Sequence, residues 1–310
     1  MKENNSRFTS EQIKDIIDRY NNGECVDILR RKYHCRNTTI SNVLKSNNIV
    51  IKRTYEYYNS KELATQRKYY CDEDIFENID NNDKAYWLGF IFADGNVYMP
   101  QGNSGGHKGA RIEITVKEED SYHLQNFASF IKSNYPVKKK VVKLKGKEFI
   151  AYRVSIGSVK MGNDLVSHGC TQRKSLTLQY PKNINNKYFG SFLRGYFDGD
   201  ACVFYKSYQR GNTNNFSNVV SILGTFEFLS AINNKLKENG IKTRRGVAPT
   251  SSKAFVLEIS TPSYFDFYNL IYTEANYILE RKLDKFKGLL DNYNKKTERS
   301  STAALAELLR

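Results

Sequence analysis

The 310-residue chain carries 48 Lys and Arg against 33 Asp and Glu, giving a formal charge of +15 and a pI near 9.4. Its 40% hydrophobic and 13% aromatic residues suffice for a substantial core, no apolar run reaches the ~18 residues that span a bilayer, and MKENNSRFTSEQ lacks the apolar stretch of a secretory signal, so a cytoplasmic location is expected. Five cysteines without a CxxC pair argue against a disulfide framework or a zinc site, and four scattered histidines argue against a histidine-based nuclease.

A positive surplus of this size calls for a polyanionic partner. The basic residues recur along predicted strands and linkers rather than on one amphipathic helix, which favours nucleic acid over a membrane surface.

Residues 1–50 read as a compact helical module. Phe8-Thr9-Ser10 opens it with Ser10 as the expected N-cap, and Ile13, Ile16, Ile17 and Tyr20 recur at helical spacing. Asn21-Asn22-Gly23 breaks the helix, Val26, Ile28 and Leu29 mark a second, and Lys32 to Arg36 form a polar turn. A third helix starts at Asn37, with Ile40, Val43 and Leu44 inside and Thr38, Ser41, Asn42 and Lys45 outside. Three short helices with a polar-faced last one resemble a helix-turn-helix, whose final helix enters a major groove.

Residues 51–82 read as a basic, aromatic linker, with Lys52, Arg53, Arg67 and Lys68 suited to phosphate contacts. From residue 83 the pattern repeats. Lys84–Asp94 and Lys187–Asp200 are both apolar helices ending in an acid, and Asp94 and Asp200 lie 106 residues apart. Each is followed by strands, a helix (about 119–134 and 225–239), two more strands and a further helix. Arg173-Lys174 and Arg281-Lys282 close the two halves, their lysines 108 apart. Two landmarks at nearly one offset indicate internal duplication, over residues 83–182 and 183–293. Residues 294–310 depart in composition and are set apart as a tail.

Strand alternation adds a surface. Ile112, Ile114 and Val116 alternate with Arg111, Glu113, Thr115 and Lys117, the pattern of a half-buried strand. Lys139, Lys143 and Lys145 follow in a lysine-rich stretch, then Arg153. Lys206, Tyr208, Arg210, Lys242 and Arg244 occupy comparable places in the second half. Such a polar sheet face suits a DNA groove.

The acid-tipped helices are the strongest signal. Gly89 and Gly195 lack side chains, so two such helices can approach closely and bring Asp94 and Asp200 together. Paired carboxylates at helix C-termini repel each other and oppose the macrodipoles. Hard divalent cations relieve that repulsion and assist phosphodiester hydrolysis.

Trp87 to Gly95 (WLGFIFADG) and Leu193 to Ala201 (LRGYFDGDA) resemble the motif of the LAGLIDADG homing endonucleases. The first has Phe92 where the motif has an acid, and the second has Ala201 where it has Gly, so the left-handed cap available at Gly95 is not freely available there. The resemblance covers about residues 83–291. It implies an α+β fold of two pseudo-symmetric αββαββα repeats forming a saddle over DNA. It also implies a monomer that makes a double-strand break with short 3′ overhangs in a long asymmetric site, needing no protein partner. Asp94 and Asp200 would hold Mg²⁺, with Mn²⁺ able to substitute and the backbone of Gly95 and Ala201 assisting. Lys174 and Lys282 would lie near the scissile phosphates and stabilise developing charge, with Arg173 and Arg281 weaker candidates. A nucleoid-associated protein of a phage or other prokaryotic mobile element is the implied setting. The rivals are a silent DNA-binding regulator on the same fold, an RNA-splicing maturase, and an adaptor using the helical module for protein contacts.

Overall fold

The computed structural model describes residues 7–51, 68–99, 109–144, 146–172, 174–210, 213–251 and 254–308, without the side chains of 144, 205–210, 213–217 and 295–308. It divides into two compact units, Met1–Tyr70 and Cys71–Arg310.

The first unit contains α1 (Ser10–Asn21), α2 (Val26–Lys32) and α3 (Asn37–Ser46). The N-cap of α1 is Thr9, not Ser10. Its hydroxyl accepts from the Gln12 N–H while the Gln12 side chain accepts from the Thr9 N–H, a reciprocal capping box. Gly23 takes a left-handed backbone (φ 100°) at the expected break. Ile16, Leu29, Ile40 and Leu44 are fully buried and bind the three helices around one small core with Phe8, Tyr20 and Cys25.

The second unit starts earlier than the sequence suggested. Phe76 and Ile79, assigned above to the linker, are buried in its core. Aromatic and aliphatic side chains there gain more from burial than a solvated tether would allow. Residues 52–67 of that linker lie outside the described residues.

The first half runs α4 (Asn82–Asp94), β1 (Gly95–Tyr98), β2 (Arg111–Lys117), α5 (Ser121–Phe130), β3 (Lys138–Leu144), β4 (Lys147–Ile156) and α6 (Val159–Ser167). The second repeats the order: α7 (Phe189–Asp200), β5 (Ala201–Arg210), β6 (Thr213–Gly224), α8 (Phe226–Glu238), β7 (Thr243–Pro249), β8 (Phe255–Ile259) and α9 (Tyr264–Tyr272). A last helix, α10 (Glu280–Leu308), continues without a break across the boundary expected at residue 294. Each half makes a four-stranded antiparallel sheet, in the orders β1-β2-β4-β3 and β5-β6-β8-β7. This is the α+β duplication read from the sequence.

The halves meet through α4 and α7, which are apolar on nearly all sides and buried accordingly. A Cβ at Gly89 would sit 2.0 Å from the Phe192 carbonyl oxygen, and one at Gly195 would sit 1.9 Å from that of Tyr86. The two helices therefore touch backbone to backbone at a pair of reciprocal glycines. Their caps correct one expectation. Gly95 and Ala201 are both extended (φ −78° and −92°), so each helix runs straight into its strand with no left-handed cap, and what favours glycine at 95 is space, since a Cβ there would lie 2.6 Å from the Ile91 carbonyl oxygen.

Gly195→Ala is expected to destabilise this unit by at least about 3 kcal/mol through overpacking, read as a lowered midpoint of chemical unfolding. Gly288→Ala, in α10 with nothing within 4 Å of the added carbon, is expected to stabilise it by up to about 1 kcal/mol.

Candidate active site and nucleic-acid interface

Close helix contact carries Asp94 and Asp200 to one place. Both retain contact with solvent. Even so, desolvation by the helix ends behind it and the charge of Asp200 push the Asp94 carboxyl up to about 6, and burial also raises Asp200. Gly199 completes the arrangement. A Cβ there would lie 2.3 Å from Ala93 Cβ and 3.3 Å from Asp94 Oδ2, so any larger residue would displace that carboxylate. A small residue between two acids was the available sequence signal for this third close approach.

Each tip is matched by one lysine. Lys174, in a 3₁₀ turn after α6, donates from Nζ to the carbonyls of Ala93 (3.1 Å) and Gly95. Lys282, on α10 and only 5% exposed, donates to those of Phe197 (3.3 Å) and Ala201. Both ammonium groups thus occupy the negative ends of the motif helices, where a cation is favoured. They lower the pKa of both acids, offsetting part of the mutual repulsion. The carbonyls of Gly95 and Ala201, expected as metal ligands, are the acceptors of these lysines. Burial and Arg281 bring Lys282 down to about 8.

Arg281 has another duty. It is ion-paired to Asp120 of the first half (2.8–2.9 Å), a carboxylate 3% exposed. Arg173 lies outside the described residues.

The two acids of the second motif separate in role. Asp198 is fully buried and accepts from Tyr86 Oη of α4 (2.7 Å) and from the Leu279 N–H at the start of α10 (2.9 Å). Burial raises its pKa to about 7. Its counterpart Phe92 is buried and packs edge-on against Phe192, with ring centres 5.4 Å apart. Asp198 anchors the helix that carries Lys282, a link that spacing alone does not reveal.

The strand registers sort the expected DNA-contact residues. In the first sheet Arg111, Glu113, Thr115, Lys117 and Arg153 share the outer face, opposite buried Ile112, Ile114 and Val154. Glu113 is held there by Arg111 (3.7 Å), Arg153 (3.4 Å) and Ser155 Oγ (3.1 Å). Lys117 pairs with Glu119. Lys138 and Lys140 pair with Arg153 and Ala151 and fall on this face, as do Asn96 and Tyr98. Lys139 and Lys143 fall on the other, because a side chain's face follows pleat parity and lysine content carries no register.

In the second sheet Arg244 is exposed and pairs with Glu258 (3.4 Å), and Lys242 is exposed just before β7. Lys206, Tyr208 and Arg210 lie on β5, where side chains are outside the described residues, and Arg53 and Lys145 are outside them altogether. On α3, Thr38, Asn42 and Lys45 are exposed and Ser41 is half-buried.

Among the described residues no group of three or more His, Cys, Asp or Glu could hold a metal, and no helix is long and apolar enough to cross a membrane. The donors present fit a hard divalent cation that takes few protein ligands: two adjacent carboxylates whose repulsion a shared cation would relieve.

No family model and no curated protein matches the chain. Solved structures similar to it include variants of the homing endonuclease I-DmoI (17% identity, TM-score 0.42), over 66% of this chain and 98% of that one. They also include the meganuclease I-SmaMI bound to uncleavable DNA (14%, 0.48), over 72% and 92%. The homing endonuclease I-WcaI bound to its DNA recognition sequence (14%, 0.46) matches over 78% and 97%. At such identities and scores the functional reading rests on the geometry.

The folded protein holds the Asp94 proton more tightly than the unfolded chain, so this group favours folding at low pH and the contribution is lost as pH rises through about 6. In metal-free buffer at pH 7.5, Asp94→Asn is expected to stabilise the second unit by about 1 kcal/mol after allowance for solvent contact, or roughly 2–4 °C in Tm. The gain shrinks below pH 6 and is gone near pH 4, which a pH series of thermal melts will read.

Proposed function

We propose that the chain is a site-specific endonuclease that makes a double-strand break in a long, asymmetric DNA sequence. The reaction is phosphodiester hydrolysis at the Asp94–Asp200 pair with a divalent cation, Mg²⁺ in the first instance and Mn²⁺ as a substitute. The observation that carries this reading is the pair itself. Two acids converge at helix C-termini, each helix end is neutralised by a lysine (Lys174 half-buried, Lys282 buried), and each acid stands at the start of a strand, the first of which leads into a polar sheet face. Packing alone gives no reason to bring two carboxylates together at the negative ends of two dipoles.

A cation held there supplies Lewis-acid polarisation of the phosphate and lowers the pKa of a bound water. The chain's own contributions are distinct. Asp94 and Asp200 supply the negative charge that binds the cation, and Gly199 leaves room for the Asp94 carboxylate. Lys174 and Lys282 keep the acids ionised and add positive potential where charge develops on the phosphate. Arg111, Thr115, Arg153 and Lys117 on the first sheet, with Lys242 and Arg244 on the second, hold and read the duplex. Thr38, Ser41, Asn42 and Lys45 on α3 add a second reading element in a major groove. With both halves in one chain, the enzyme acts as a monomer and needs no protein partner.

The test is cleavage of a plasmid library carrying randomised sites, in Mg²⁺, by the native protein, Asp94→Asn and Asp200→Asn. The native protein is expected to linearise plasmids at one recurring long sequence, with each variant binding that sequence and cutting it at least about 100-fold more slowly. Enrichment of a sequence that is never cut, in Mg²⁺ or Mn²⁺, overturns the catalytic assignment and leaves a DNA-binding regulator.

A further inference from the structure

The two sheets can be aligned through their registers, starting from Gly95 and Ala201, the residues that follow the two acids. Gly95 pairs with Ile114 and Ala201 with Ile222; Ile114 pairs in turn with Val154, and Ile222 with Leu257. Inner positions keep their character in this alignment: Val97 matches Val203, and Ile112 matches Val220, all buried. Four outer positions change class, while Glu113 becomes Ser221 and Ser155 becomes Glu258, which stay polar. Tyr98 becomes Phe204 and Arg111 becomes Val219. Thr115 becomes Leu223 and Arg153 becomes Val256.

At these four positions the second face is apolar where the first offers hydrogen-bonding groups. Phe204 and Leu223 remain 42% and 41% exposed. Phe204 lies across from Val219, and Leu223 across from Val256, giving two apolar pairs on either side of the row Cys202, Ser221 and Glu258. Apolar side chains paired across strands and exposed on an outer sheet face are suited to an apolar feature of whatever covers that face. What covers this one follows from its position. Cys202 and Phe204 stand two and four residues after Asp200 on one strand face, and the exposed cations Lys242 and Arg244 flank the sheet. A duplex cut at the acids must pass over it.

From this, and resting on the endonuclease reading above, we propose that Phe204 and Leu223 make the second sheet recognise thymine C5-methyl groups in the major groove of its half-site. The first sheet reads its own half-site through hydrogen bonds. The methyl is the apolar feature that the major groove offers to such a face. The half-site under the second repeat is accordingly thymine-rich near the cut, and the target is asymmetric in chemistry as well as in sequence.

Deoxyuridine replaces thymine with loss of the methyl alone. Binding of the full chain to its selected site is measured in EDTA, with deoxyuridine for thymine in one half-site or the other. Substitution in the half-site under the second repeat is expected to weaken binding about fourfold for each thymine contacted, and in the other half-site less than twofold. Phe204→Asn combined with Leu223→Asn, which replaces both apolar side chains with amides, is expected to abolish that discrimination, while Arg153→Ala leaves it intact. A selected and cleaved site whose two halves are equally indifferent to deoxyuridine overturns the inference alone. So does discrimination that survives the double substitution. A chain that enriches no duplex overturns both this inference and the reading beneath it.

Discussion

The contact of α4 with α7 at Gly89 and Gly195 sets everything else in the second unit. Each glycine lies where a carbon would strike the other helix's backbone, so the helix separation is fixed by main-chain atoms rather than by adaptable side chains. That rigidity propagates outward. The helix tips bring together Asp94 and Asp200, the strands begin at the next residue in each half, and the two sheets inherit their placement from the same two helix ends. Buried aromatic rings around the seam, including Trp87, Tyr86, Phe192 and Phe197, supply the apolar burial that holds an otherwise polar backbone contact closed.

Convergence of the acids is electrostatically adverse, and the structure answers it with position more than with charge count. Among the described residues the lysines and arginines are mostly solvated, and a solvated cation near a surface acid contributes little. Lys174 and Lys282 differ because each ammonium is fixed against helix-end carbonyls, in the half-buried and buried environments where Coulombic terms are larger. They counter the acids and the dipole ends together. Removing such a lysine would strip two carbonyls of a donor and leave the acid pair less compensated, so its effect on catalysis would not be separable from its effect on acid ionisation without measuring both.

Much of this was legible in the sequence because it follows from periodicity. Residues 84–94 and 187–200 announced apolar helices, the alternation in 111–117 announced a half-buried strand, and the offset of the two acids announced duplication. The parts that were not legible depend on register or on contacts distant in the chain. Lys139 and Lys143 looked equivalent to Lys138 and Lys140 until the pairing of β3 with β4 fixed the pleat. Arg281 looked like a partner of Lys282 in catalysis, whereas Asp120, 161 residues away, binds it. Phe76 and Ile79 looked like part of a tether, since two apolar residues among acids carry no period. The third glycine contact, Gly199 against Asp94, required knowing which helix faces meet.

The lysines also show that the two halves converge on one local chemistry by unequal means. In the first half the ammonium arrives on a 3₁₀ turn that follows α6, and the motif position two residues before the acid is a packed phenylalanine. In the second it arrives on a long helix preceded by Leu279, whose N–H donates to Asp198, the carboxylate at that same motif position. Tyr86 of the first half donates to Asp198 as well, so the support for Lys282 crosses the seam while that for Lys174 stays within its own half. Scaffolding this different would be expected to deliver different groups to the two helix ends if the lysines were incidental. Delivery of an ammonium to equivalent carbonyls, at offsets of 79 and 81 residues to Gly95 and Ala201, therefore points to a requirement imposed by the acids themselves. Each carboxylate at a helix C-terminus needs a cation behind it if a second carboxylate is to stand in front.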